Sequence, residues 1–210
     1  MSERGGTSRL SKILVIDTAT KNIYLSLVID GVEKQSVFQE GINNHSVTII
    51  PFLDEMLKKE SVELKEIDEI IIGIGPGSYT GVRIGVTVAK MIGYMNATKV
   101  KTISSLALIA SASEKEFVIP YVDARRGNAF LAAFRQVNGK LEYIEFDMMR
   151  NVEEYLRTWK FDYDFISEGH PKIQKILNSD LLETVDNVND LQPNYLRITE
   201  AERNKNEDKN

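Results

Sequence analysis

The chain has 210 residues with a formal net charge of −5 at pH 7, 42% hydrophobic and 27% charged residues, and no cysteine. This length can bury a core as one domain or two small ones, and the lack of cysteine excludes a disulfide framework, a thiolate zinc site and a cysteine nucleophile. The acidic balance argues against a broad nucleic-acid surface, and no apolar run approaches the roughly 20 residues that span a bilayer, so we expect a cytoplasmic protein that does not enter a membrane.

The first third of the chain predicts three antiparallel strands and a helix. Residues 1–11 are polar and are expected to form a disordered leader. KILVIDTAT, from Lys12, has the apolar run of a buried strand, and NIYLSLVIDG alternates as a second strand. Asp30-Gly31 is a typical hairpin turn before a third strand, VEKQSVFQE. A helix over 47–59 follows, with its apolar residues on one side.

A strand, a glycine-rich turn and a helix form the centre of the sequence, EIIIGIGPGSYTGVRIGVTVAKMIGYM at 69–95. The isoleucine run predicts a strand buried on both faces, and Ser78 or Thr80 is expected to cap a helix that ends near Tyr94. Small residues lie four apart along this helix and therefore share one face: Gly81, Gly85, Ala89 and Gly93. Because an interior glycine costs roughly 0.5–1 kcal/mol relative to alanine, we expect this face to permit close contact with another helix or a sheet.

The same turn also has the chemistry of an anion site. Gly75, Gly77 and Ser78 precede a helix N-terminus, where free backbone N–H groups could hold a phosphate. Arg83, in the first helical turn, could assist. The spacing matches neither a Walker loop nor the dinucleotide fingerprint. An anion site and a purely structural turn therefore both remain open.

The order of elements then repeats in a shortened second half. FVIPYVDARRG predicts a strand that ends at Asp123, much as KILVIDTAT ends near Asp17, and an Asn-Gly hairpin joins the next two strands. The remaining predicted elements are a strand near 99–102 and a helix over 104–113 in the first half, and a helix near 152–160, a strand over 163–167 and a helix over 170–178 in the second. This duplication predicts two α/β lobes, 12–113 and 114–199, followed by a polar tail over 200–210.

Two βββαβα halves, each opening on a strand that ends in aspartate, resemble the actin-like ATPase (ASKHA, ribonuclease H-like) fold. In that superfamily a nucleotide lies between the halves, so the resemblance implies a nucleotide-side position for Asp17 and Thr18. The hairpin after Asp17 has no phosphate-loop glycines, which favours the alternative that this carboxylate only caps the end of its strand. Asp123 with Arg125 and Arg126 fits an anion site or an ion-paired turn equally well.

GIGPGSYTGVRIGVTVAK, at 73–90, is similar to the signature of the TsaB family, also called YeaZ, which comprises accessory proteins of bacterial tRNA threonylcarbamoyladenosine synthesis. The resemblance extends to ILVIDTAT at 13–20, TISSLALIA at 102–110, VDARRG at 122–127 and PNYLR at 193–197. It thus covers nearly the whole predicted globular part of the chain.

The resemblance implies a subunit without catalytic activity. In the catalytic relative, TsaD, two histidines four residues apart bind a metal in the segment after the glycine helix. Alignment places Ser105 and Ile109 at those positions, and neither replaces imidazole as a ligand. No metal and no cofactor of its own are therefore expected, and ATP or ADP and a metal ion are expected only on partner subunits.

The resemblance also implies the partners. TsaB proteins bind and activate TsaD, which threonylcarbamoylates adenosine 37 of ANN-decoding tRNAs; TsaE completes the assembly, and tRNA is contacted mainly through the complex. In this family the first two helices pair with those of TsaD, or with a second copy as a homodimer in isolation. The predicted interface here consists of Ile49, Leu53, Met56, Gly81, Gly85, Ala89 and Gly93. Gly85→Leu is accordingly expected to abolish partner binding and leave the monomer folded.

Four alternatives to this interpretation remain. The chain could be a plain homodimeric scaffold that uses the same helices. Both helix faces could merely cover their own sheet. The chain could instead be a small ATPase or kinase that uses the space between its lobes. It could also be a metallopeptidase, as the older glycoprotease label of the family suggests.

Overall fold

A computed structural model describes residues 10–41 and 45–196. The predictions for most of the leader, for the tail and for Arg197 of the PNYLR segment lie outside these residues. None of the described helices is long and apolar enough to cross a membrane.

The first half is built on a six-stranded sheet with the order β10-β5-β4-β1-β2-β3. An antiparallel meander of β1 (Lys12–Asp17), β2 (Asn22–Ile29) and β3 (Val32–Glu40) forms one side. The other side consists of β4 (Glu69–Gly73) and β5 (Lys99–Ile103), which run parallel to β1. The three predicted opening strands are confirmed.

Alternate residues of the central strands enter two different cores, which explains their continuous apolar runs. Leu14 and Ile16 of β1 join the core under α1 (His45–Lys59) and α2 (Tyr79–Asn96). Val15 between them joins a second core with α3 (Ser105–Ser111) and the second half of the chain. The two halves therefore share hydrophobic contacts on one face of the first sheet.

The second half contains a four-stranded sheet with the order β8-β7-β6-β9. Its strands are β6 (Phe117–Asp123), β7 (Asn128–Val137), β8 (Lys140–Asn151) and β9 (Tyr163–Ile166), and its helices are α4 (Val152–Leu156) and α5 (Ile173–Leu177). The predicted duplication of βββαβα is confirmed. Both helices are shorter than predicted. α4 gives way to a turn in which Thr158 bonds to the carbonyl of Tyr155, and α5 begins only after Pro171.

The end of the chain returns to the first half, contrary to the predicted lobe boundary at 114–199. β10 (Glu183–Thr184) pairs antiparallel with β5. A 3₁₀ turn at Val188–Asp190 lies against α2, and the Asn194 N–H donates to the carbonyl of Ile74 at 2.7 Å. This return covers the edge of β5, which would otherwise be unpaired.

Candidate functional site

The glycine turn between β4 and α2 is fastened to the end of β1. Ser78 caps α2, because its Oγ accepts from the Gly81 N–H at 3.1 Å, and its own N–H donates to the carbonyl of Ala19 at 2.7 Å. A Cβ on Gly77 would lie 2.1 Å from that same carbonyl oxygen. The residues that suggested an anion site are thus explained by close packing and by hydrogen bonds within the chain.

Asp17 and Ser105 form a buried hydrogen-bonded pair beneath this turn. The Asp17 carboxylate accepts from the Ala19 N–H at 2.9 Å and from Ser105 Oγ at 3.0 Å, and Ser105 Oγ accepts from the Gly75 N–H at 3.0 Å. Burial raises the pKa of Asp17 to about 6, against the opposing effect of these hydrogen bonds. The strand-end carboxylate therefore binds backbone and a hydroxyl of its own chain.

The positions that align with metal-binding histidines do not form a metal site. Ser105 is committed to Asp17, and Ile109 is 5% exposed within the core. Among residues 10–41 and 45–196, no group of three or more His, Cys, Asp or Glu side chains is placed to hold a metal ion. The donor set at this place does not fit the histidine-bound metal that the resemblance places on the catalytic relative.

The space between the two halves beside Asp17 is almost closed. Its cavity of about 10 Å³ has room for about one water molecule and is lined from both halves. Lys21 pairs with Glu168 across it at 2.7 Å, and the ring of His170 packs against Tyr24 and Phe38. In this conformation a nucleotide does not fit here.

The second strand-end aspartate supports an exposed turn. Asp123 Oδ1 accepts from the Arg125 N–H at 2.8 Å, as Asp17 accepts from Ala19, so the two halves repeat the same local device. Asp123 lies outside the small cavity that Asp17 lines. In the part of the chain that the structure describes, neither Arg125 nor Arg126 forms an ion pair, which removes the ion-paired turn from the two predicted alternatives.

The predicted partner interface is wrong, because its residues face the core of the same chain. A Cβ on Gly81 would lie 2.2 Å from the Thr18 carbonyl oxygen, and one on Gly85 would lie 2.6 Å from Thr18 Oγ1. Gly93 lies against Val100 and Val188 in the same way. The complete predicted set is buried: Ile49, Leu53, Met56, Gly81, Gly85, Ala89 and Gly93. The small residues bring α2 close to its own sheet, and Gly85→Leu would disturb the fold.

The opposite side of the two helices presents an apolar surface to solvent. The stripe along α2 has the alternating four-three spacing of a helix-packing seam and consists of Thr80, Ile84, Thr87, Met91 and Tyr94. Met91 is 46% and Tyr94 72% exposed. Val47 and Ile50 add 61% and 44% exposed side chains from α1, and a groove of about 400 Å³ separates the helices. We call these seven residues the outer surface.

An aromatic cluster with one arginine borders the outer surface at the N-terminus of α2. Arg83 Nε donates to the Tyr195 hydroxyl at 2.7 Å, and its guanidinium lies 4.2 Å from the centre of the Tyr79 ring. The rings of Tyr79 and Tyr195 are 5.3 Å apart. Neither tyrosine was predicted as a site residue. Arg83, predicted to assist an anion, instead joins α2 to the end of the chain.

Comparison with known proteins identifies relatives along nearly the whole chain. Residues 34–195 match the family model described as TsaD: tRNA N6-adenosine threonylcarbamoyltransferase. The tRNA threonylcarbamoyladenosine biosynthesis protein TsaB of Bacillus subtilis is 30% identical, over 90% of this chain and 96% of its own length. TsaB of Escherichia coli is 31% identical over 61% of this chain and 57% of its own length.

Solved structures of similar proteins have the same fold as this chain. The structure of YeaZ from Pseudomonas aeruginosa superposes with a TM-score of 0.74 at 20% identity, covering 89% of this chain and 100% of that one. A second structure, described as an uncharacterized protein with similarity to peptidase YeaZ from the same organism, gives a TM-score of 0.75 at 21% identity. The predicted actin-like, ribonuclease H-like fold is confirmed.

Proposed function

This chain belongs to the TsaB family of tRNA threonylcarbamoyladenosine biosynthesis proteins, and from that premise we propose that it is a docking subunit that binds and activates TsaD. TsaD then transfers the threonylcarbamoyl group to adenosine 37 of ANN-decoding tRNAs. TsaE joins the same assembly. The chain takes part through a protein surface and performs no catalytic step itself.

The observation that carries this proposal is the outer surface. Large apolar side chains exposed together on two neighbouring helices are unusual for a monomer and mark protein–protein contact. The four-three spacing along α2 suits side-by-side packing against a partner helix. Since the small inner face of α2 already lies against its own sheet, the partner contacts the outer face.

The edge of this surface has the residue types that dominate binding energies. Tyrosine and arginine are enriched among interface residues whose loss costs most, and Tyr79, Arg83 and Tyr195 lie together at one end of the groove. Their mutual contacts hold them in place before a partner arrives. These side chains therefore lose less conformational entropy when a partner binds than freely rotating side chains would.

Two features of the interior support a non-catalytic role. Ser105 and Ile109 belong to an internal hydrogen bond and to the core, respectively, where the catalytic relative has metal-binding histidines. The space between the halves beside Asp17 is nearly filled. Neither feature favours the ATPase or metallopeptidase alternatives.

A pair of charge substitutions on the outer surface tests the proposal. Ile50→Glu and Met91→Glu each place a carboxylate on an exposed apolar position, so the fold should persist while docking is lost. We expect at least a tenfold weaker affinity for TsaD in calorimetry, and reduced threonylcarbamoyladenosine in tRNA of cells that carry only the variant. Phe146→Glu is the matched control, because Phe146 is 74% exposed but lies on β8, away from this surface. Unchanged affinity of both variants would contradict the proposal.

A further inference from the structure

The described arginines of this acidic protein divide into two groups of three. Arg135 pairs with Glu116, Arg157 pairs with Glu153, and Arg83 is held by two tyrosines. Within residues 10–41 and 45–196, the other three arginines form neither an ion pair nor a cation–π contact: Arg125, Arg126 and Arg150. We call these three the arginine cluster.

The arginine cluster is gathered at one end of the second sheet. Arg125 and Arg126 form the turn between β6 and β7, and Arg150 stands opposite Ala129 at the start of β7. The Val152 N–H donates to the carbonyl of Gly127 at 2.9 Å, which ties the end of β8 to the turn. The three guanidinium groups therefore project from adjoining backbone and are exposed.

The turn holds its two arginines in a backbone conformation that suits glycine better. Arg125 and Arg126 have φ of 69° and 55°, and Gly127 follows with φ of 73°. Asp123 accepts from the Arg125 N–H, and Asn128 Nδ2 donates to the Arg126 carbonyl, so polar side chains on both flanks fix this shape. Folding alone would favour glycine or asparagine at both positions, which indicates that the guanidinium groups serve a purpose outside the fold.

We propose that the arginine cluster binds backbone phosphates of the tRNA while the chain is docked on TsaD, an inference that rests on the proposed function. A rigid turn that presents unpaired guanidinium groups matches phosphate oxygens, which accept paired N–H donors from arginine. Two neighbouring acids already have partners: Asp123 Oδ1 accepts from the Arg125 N–H, and Glu153 pairs with Arg157. The proposed contact with tRNA involves only these three arginines, which is compatible with the net charge of −5 of the whole chain.

The test uses the complete complex with TsaD and unmodified tRNA. The test variant is Arg125→Gly/Arg126→Gly. Glycine adopts a positive φ without strain, so this variant should keep the shape of the turn while it lacks two positive charges. Arg135→Gln/Arg157→Gln is the matched control, since it removes the same charge from paired arginines elsewhere. We expect fluorescence anisotropy to show about tenfold or greater weakening of tRNA binding for the first variant only. The plot of log affinity against log salt concentration has a negative slope, and its magnitude should decrease by about 1.5 in the same variant.

The outcomes separate the two proposals. If the wild-type chain does not bind TsaD, the proposed function fails and this inference fails with it. If both variants form the complex and bind tRNA with equal affinity and salt slope, the inference alone is wrong. If the glycine variant loses TsaD instead, the arginines belong to the protein interface and the inference is likewise overturned.

Discussion

At the scale of single residues, Asp17 couples the fold to pH. Its carboxyl is buried, and its pKa is raised from 3.8 to about 6 because burial disfavours the charged form. The folded state therefore holds this proton more tightly than the unfolded chain. Binding of this proton stabilises the folded state by up to about 3 kcal/mol. This contribution to the free energy of unfolding is fully present below pH 3.8 and is lost as the pH rises to about 6.

Asp17→Asn should remove this dependence. The free energy of unfolding of the variant, relative to that of the original chain, should improve by up to about 3 kcal/mol between pH 4 and pH 7, because only the original chain must bury a charge at neutral pH. Urea unfolding at a series of pH values measures the difference. A difference that stays constant across this range would show that Asp17 does not titrate in the folded state.

Patterns in the sequence predicted some residues of the candidate site but not others. The VDARRG segment was recognised, because an aspartate followed by two arginines and a glycine is a local pattern. Tyr195 stands in the PNYLR segment but was not predicted as a site residue, because its contact with Arg83 joins residues 112 positions apart and no local pattern records it. The pairing state of the arginines likewise depended on the fold, since Asp123 bonds to backbone instead of guanidinium.

At the scale of elements, strands were predicted better than the faces of helices. The bounds of β3 and β7 follow directly from alternation and from Asp-Gly and Asn-Gly turns. α2 carries apolar residues around its whole circumference, so periodicity could not decide which side meets the sheet. Small residues permit close contact with any neighbour, and in this fold the neighbour is the first sheet of the same chain, together with the residues that follow β1.

The approach of α2 to the sheet gives a direct test of this assignment. In Gly85→Ala the new Cβ lies 2.6 Å from Thr18 Oγ1 and 3.3 Å from Ile72 Cδ1, so the helix must move outward. We expect a loss of about 1–3 kcal/mol in the free energy of unfolding, as for other overpacked cores.

Three further variants complete the Gly85→Ala experiment. Thr87→Ala on the exposed side of the same helix should change stability by less than about 0.5 kcal/mol. Thr18→Ala removes the clashing hydroxyl, so the double variant should be more stable than the sum of the single changes predicts. Chemical denaturation of the original chain and the four variants measures these differences in the free energy of unfolding. Additive effects would mean that Gly85 and Thr18 do not meet.

At the scale of the whole molecule, one surface has two possible occupants. The inner side of α2 packs against its own sheet, whereas the outer surface of α1 and α2 is exposed and available for assembly. We expect a homodimer in isolation through this surface. A second copy and TsaD would then compete, because neither can dock while the other covers the same helices.

Competition predicts a defined change of mass. Sedimentation velocity of the isolated chain should show a dimer that gives way to a one-to-one complex as TsaD is added. Ile50→Glu should give a monomer that TsaD does not capture, because the same exposed side chain serves both contacts. Phe146→Glu should behave as the original chain does. A stable dimer of Ile50→Glu, or a complex in which TsaD binds an intact dimer, would assign the two contacts to different surfaces.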